Sequence, residues 1–270
     1  MRTSNKQSRD WSFTFGEAAA FTLVLWFGEV IVSMLTWTPL IHAGLQTWSA
    51  RAVVRVIACG LIFTTFAHIR QIPQREILHH GPASAMTTLG VLTLPILLLL
   101  PLLLLLDGLT ASLLELVFPM SSSAAKFWEE LSQGNLGMWV LVCLIAPMVE
   151  EMFFRGVLLR GLLNRYARAD ATVYSAFLFG LIHLNVYQFV IAFLLGLLLA
   201  ALYCRTRSLW PGILLHAGIN TGVMVTMASG IKEMAAQAPL MVWVAASLLA
   251  AVGAHFLRKL LREVPAIAAT

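Results

Sequence analysis

Glu150-Glu151-x-x-x-Arg155, Phe179-x-x-x-His183 and His216-x-x-x-Asn220 fall on three successive hydrophobic segments of the chain. Their side chains are of the types that hydrolyse a peptide bond. That reaction needs a base to activate water, a proton donor for the departing amine and hydrogen-bond donors aimed at the tetrahedral oxyanion. The hydrophobic setting sharpens the reading. A charged side chain at a bilayer centre costs about 2.5 to 3.5 kcal/mol even on lenient insertion scales, so intramembrane Glu, His and Arg face a cavity or a partner.

Residues four apart share a helix face, so Glu151 and Arg155 can pair, with the acid on the preferred N-terminal side. Glu150 then points about 100° away and is left free to address a cavity. In this reading Glu150 is the general base, His183 orients the same water, and His216 and the Asn220 amide donate to the oxyanion. Glu151 and Arg155 support the site as an ion pair, and Phe179 packs the cavity wall. Glu150, His183 and His216 would also make a His/His/carboxylate zinc site with an open water position. The metal-independent arrangement is preferred because Asn220 is a poor zinc ligand and a good oxyanion donor. The chain has no H-E-x-x-H, and no recognisable nucleophile motif places a Ser or Cys.

The elements that must position these groups follow from composition. Of 270 residues, 59% are apolar and 11% charged, and mean hydropathy is +0.84; soluble domains carry about 25% charged residues. This is an all-α, polytopic membrane protein. With about 20 apolar residues per span, spans are expected near 17–37, 50–69, 84–106, 136–158, 171–185, 188–204, 209–229 and 238–257. These eight helices form a single integral membrane domain over 1–270, with the motifs in 136–229 and the catalytic groups on helices 4, 5 and 7. The net charge of +5 comes from short clusters between apolar runs, which argues against a nucleic-acid partner and for orientation in the bilayer. All Lys and Arg except Arg51, Arg55, Lys126 and Lys232 fall on one side if both termini are cytoplasmic, as in a bacterial inner membrane.

Several local features refine this outline. Arg2, Lys6 and Arg9 precede the first apolar stretch as in a signal peptide, but Glu29 and the lack of an A-x-A-like exit predict an uncleaved helix. Glu29 itself reads as a helix-packing or interfacial carboxylate or as a cavity-lining one. Cys59, Cys143 and Cys204 are odd in number and far apart, so they indicate neither a disulfide framework nor a Cys-based zinc site. His79-His80 reads as an exposed loop pair. Between Asp107 and Asn135, Leu113, Leu114, Leu116, Val117 and Phe118 are expected to form an amphipathic piece at the outer interface. The fifth span is short, which predicts a turn at Asn185–Gln188 sunk below the surface.

Written out in full, Glu150-Glu151-Met-Phe-Phe-Arg155-Gly, Phe179-Gly-Leu-Ile-His183-Leu and Trp210-Pro-Gly-Ile-Leu-Leu-His216-Ala-Gly-Ile-Asn220 resemble the ordered signature of the CPBP family. That family groups the CAAX-processing endopeptidases of eukaryotes with bacterial relatives linked to bacteriocin processing and immunity. The resemblance implies an eight-helix fold and intramembrane proteolysis, and leaves the substrate open. Glu150 lies twelve residues, about 18 Å, along its helix from Met138, too deep for a folded soluble substrate, so a membrane-anchored or lipid-modified chain is expected. Two other classes use the same residue types: a proton-coupled transporter and a non-catalytic membrane partner or immunity factor. No convincing repeat relates the two halves, as a transporter often shows, and the intact motif set argues against a degenerate partner.

Overall fold

Thr14 starts the first helix with a capping box: its hydroxyl accepts from the Glu17 amide, and the Glu17 carboxylate accepts from the Thr14 amide at 2.7 Å. The computed structural model describes residues 11–122, 126, 128–130, 134–229 and 237–263. Its helices are α1 (Phe15–His42), α2 (Thr47–Arg70), α3 (Gln74–Leu78), α4 (Ala85–Val117), α5 (Leu136–Leu163), α6 (Arg168–Leu181), α7 (Val186–Thr206), α8 (Trp210–Ala228) and α9 (Leu240–Glu263). Among the described residues there is no β-strand, only an isolated bridge between His79 and Ser208.

Among the described residues six helices, α1, α2, α4, α5, α7 and α9, are long and apolar enough to cross a membrane. The other two expected spans are present as helices but fall short of that standard. With 14 residues, α6 reaches about 21 Å against a hydrocarbon core of about 30 Å. At 19 residues α8 is long enough, but His216, Asn220 and its glycines lower its hydropathy. Both exceptions serve the motif groups: α6 leads into His183 and α8 carries His216.

The expected separate piece at Leu113–Phe118 is not separate. Leu113 to Val117 continue α4, a 33-residue helix that tolerates Pro95 and Pro101, and Phe118 is its C-cap. Continuing the helix satisfies backbone groups internally where lipid cannot. The turn between α6 and α7 comes slightly earlier than expected. Leu184 adopts φ 51°, and Asn185 caps α7 by accepting from the amides of Tyr187 and Gln188 at 2.9 and 3.3 Å. The Tyr187 hydroxyl donates to the Phe118 carbonyl and ties this turn to the end of α4.

Central α5 touches α2, α3, α6, α7 and α8, while α9 and α8 lie along α4, α6 along α7 and α1 along α2. The C-terminal half of α5 is enclosed: Phe153, Phe154, Val157, Leu158, Leu159 and Leu162 are fully buried. Trp11 runs beneath it, its indole donating to the Val157 carbonyl at 2.9 Å. By contrast Leu23, Met34 and Leu35 on α1 and Met241 on α9 are exposed, as lipid-facing residues must be. His79 and His80 are half-buried rather than exposed. Burial first, then Arg160, Arg207 and His79, push the His80 imidazole down to about 3.

Candidate active site

Glu150 and Glu151 sit on a short α-helical step of α5, between π-helical turns at Leu141–Ile145 and Met152–Leu159. Such turns often mark functional sites. Proline explains part of this one. In π-helical register the Val142 carbonyl would accept from residue 147, which is Pro147 and has no N–H. The Asn220 side chain supplies the missing donor, its Nδ2 lying 2.8 Å from Val142 O. This bond pins α8 to α5 and uses one of the two amide hydrogens of Asn220.

Arg155 is fully buried and held on three sides. Nη1 donates to Glu151 Oε1 at 2.7 Å, Nη2 donates to the Gly196 carbonyl at 3.1 Å, and the guanidinium lies 4.4 Å from the Phe179 ring centroid. Phe179 also meets His183 and His216 edge to face, at 5.4 and 5.5 Å between centroids. One aromatic plate thus contacts the supporting arginine and both histidines.

The two glutamates are not as separate as their helical phases imply. His216, 4% exposed, places Nδ1 3.2 Å from Glu151 Oε1 and Nε2 3.8 Å from Glu150 Oε2. A carboxylate only accepts, so Nδ1 is a donor and Nε2 is turned toward Glu150. Glu151 therefore orients His216 as well as pairing with Arg155. Gly212 lets α8 come this close, since a Cβ there would stand 2.9 Å from Glu151 Oε2. His183, just past the end of α6, is oriented in the same way: Nδ1 donates to the Phe179 carbonyl at 2.9 Å, which leaves Nε2 as the ring's acceptor nitrogen.

Two residues join the site that motif spacing does not reveal. Arg55 on α2 donates through Nη1 to Glu150 Oε1 at 2.9 Å, and its Nε lies 3.2 Å from Glu29 Oε1 on α1. Arg55 thus pairs with carboxylates on two other helices, α5 and α1. Glu29, Arg55, Cys59, Val149, Glu150 and Ile182 are among the residues lining a cavity of about 30 Å³, room for about two waters. The signal for Arg55 and Glu29 lay in their charge alone: each is ionisable inside an apolar helix, where a partner is expected.

The donor set for zinc is only partly favourable. His216 Nε2 faces Glu150 Oε2, but Glu150 Oε1 is already bound to a guanidinium whose charge would repel a divalent cation. Among the described residues no group of three or more His, Cys, Asp or Glu is arranged to hold a metal ion. The arrangement therefore does not fit a zinc site as it stands.

Residues 132–222 match the family model described as Type II CAAX prenyl endopeptidase Rce1-like. This segment is Rce1-like. The curated protein named "Putative membrane peptidase YdiL", from Bacillus subtilis (strain 168), is 24% identical over 188 residues, covering 69% of this chain and 73% of its own. No solved structure matches the chain. Together with the CPBP resemblance, these matches support a membrane endopeptidase. The Rce1-like segment includes Glu150, Glu151, Arg155, Phe179, His183, His216 and Asn220, whereas Glu29 and Arg55 reach it from helices outside it.

On the sequence expectation that Asn220 is an oxyanion donor, Asn220→Ala should lower cleavage by about 100- to 1,000-fold. Because the substitution also frees the Val142 carbonyl, thermal unfolding in detergent should fall by a few degrees. Full activity with reduced stability would leave Asn220 as a packing residue alone.

Proposed function

We propose that this chain is an intramembrane endopeptidase that hydrolyses a membrane-anchored substrate with a glutamate-activated water. The observation that carries this reading is the placement of Glu150. The residue is 8% exposed, with Oε1 held by Arg55 and Oε2 left facing His216 across 3.8 Å. A polar gap wider than about 3.5 Å is the kind that a bridging water fills.

Water in this gap donates one hydrogen to Glu150 Oε2 and the other to His183 Nε2. Its oxygen attacks the scissile carbonyl carbon as Glu150 takes the proton. His216 Nε2–H and the second Asn220 N–H donate to the oxyanion that forms. Collapse breaks the C–N bond, and the Glu150 proton passes to the departing amine. The role of His216 requires protons on both ring nitrogens.

The family description points to prenylated chains, so the proposed substrate is a prenylated or similarly lipid-modified protein whose extended segment enters from the bilayer. The proposed location is a bacterial inner membrane with both termini cytoplasmic. The test uses purified protein in liposomes with a lipid-anchored fluorogenic peptide. Cleavage should persist after exhaustive chelation. Loss on chelation with recovery on added Zn²⁺ would move the site to the His/His/carboxylate reading. Proton or solute flux without cleavage would make it a transporter, and neither activity would leave a non-catalytic partner.

A further inference from the structure

Arg55 spans two helices with two edges of one guanidinium: Nη1 on Glu150 Oε1 at 2.9 Å, and Nε 3.2 Å from Glu29 Oε1. Cys59, one turn along the same face of α2, points its thiol at the same Glu29 oxygen at 3.8 Å. These groups line the small cavity that reaches Glu150 from the α1 and α2 side. The Rce1-like segment supplies none of Glu29, Arg55 or Cys59.

We infer that Arg55 is a positioning residue for the reactive carboxylate, that Glu29 holds Arg55 in place, and that the cavity between them stores water for the reaction. The inference rests on Glu150 being the base. A carboxylate has two equivalent oxygens and rotates about its last torsion with little hindrance. Arg55 removes that equivalence by occupying Oε1, so Oε2 alone faces the gap to His216. Glu29 sets the angle of the guanidinium plane by fixing Nε. A lysine at position 55 could reproduce the charge but not the two-edged fork, since an ammonium is a point charge on a flexible stem. The site thus draws on the N-terminal helices for the geometry of its base.

The test measures kcat and KM of Arg55→Gln, Arg55→Lys, Glu29→Gln and the Arg55→Gln/Glu29→Gln double variant on the lipid-anchored peptide in liposomes. Unfolding temperature and the folded fraction are measured alongside. Arg55→Gln should lower kcat by about 100-fold, the order expected when a reacting group is misplaced by about 1 Å, with KM nearly unchanged. Arg55→Lys should retain more kcat than Arg55→Gln, and Glu29→Gln should lose less than either. The double variant should be no worse than Arg55→Gln, because Glu29 acts through Arg55. If Arg55→Gln does not fold, the lysine and Glu29 variants decide. Wild-type kcat in those variants, or losses that only track the folded fraction, would overturn the inference. An inactive Glu150→Gln beside a fully active Arg55→Gln would sink this inference alone, whereas an active Glu150→Gln would remove the base on which it rests.

Discussion

Glu150→Gln is expected to reduce cleavage of a membrane-anchored peptide by at least about 1,000-fold, with insertion, yield and unfolding temperature close to wild type. General acid–base groups contribute about 100- to 10,000-fold, and here one carboxylate would serve as base toward water and as acid toward the amine. The fold should survive because a glutamine oxygen can still accept from Arg55 Nη1, and Arg55 keeps Glu29 as its charged partner. His183→Ala and His216→Ala should cause losses of similar size. Combining any of them with Glu150→Gln should add little, since groups that act on one water behave as a unit. Turnover measured in liposomes decides the matter, and robust cleavage by Glu150→Gln would end the assignment of this residue as base.

Arg155→Ala should act through folding. Arg155 and Glu151 are 0% and 1% exposed and 2.7 Å apart, and removing one partner of such a pair costs about 3 to 5 kcal/mol because the other charge stays buried. The same change frees the Gly196 carbonyl on α7 and empties the space against Phe179. Membrane yield and unfolding temperature should therefore fall together with activity. Exchanging the charges, Glu151→Arg with Arg155→Glu, should recover part of the stability but not the activity. Glu151 Oε1 also receives His216 Nδ1, and an arginine at position 151 would confront the imidazole donor with further donors. Normal stability of Arg155→Ala would contradict this account, and an active charge-swapped protein would show that His216 does not depend on Glu151.

Much of the molecule was determined by local sequence. Long apolar runs in a chain with few charges leave helices as the way to satisfy backbone groups in lipid, and the 3.6-residue period alone places Glu151 beside Arg155 and swings Glu150 to another face. All eight expected spans are helices, and among the described residues six of them are long and apolar enough to cross a membrane, whereas α6 and α8 give up length or hydropathy at the site. The same logic divided Leu113–Phe118 from a helix that runs on without a break. What only the tertiary structure decided is how separate helices meet. Arg55 lies 95 residues from Glu150 and His216 lies 65 from Glu151; spacing along the chain carries no information about such pairs. The bond from Asn220 to Val142 needs a carbonyl left without a partner by Pro147 in π-helical register, and only the packed geometry of α5 and α8 brings the two together. Periodicity fixes the direction of a side chain relative to its own helix axis. The rotation, depth and neighbours of that helix are set by packing, and these select which glutamate oxygen is held and which is left free.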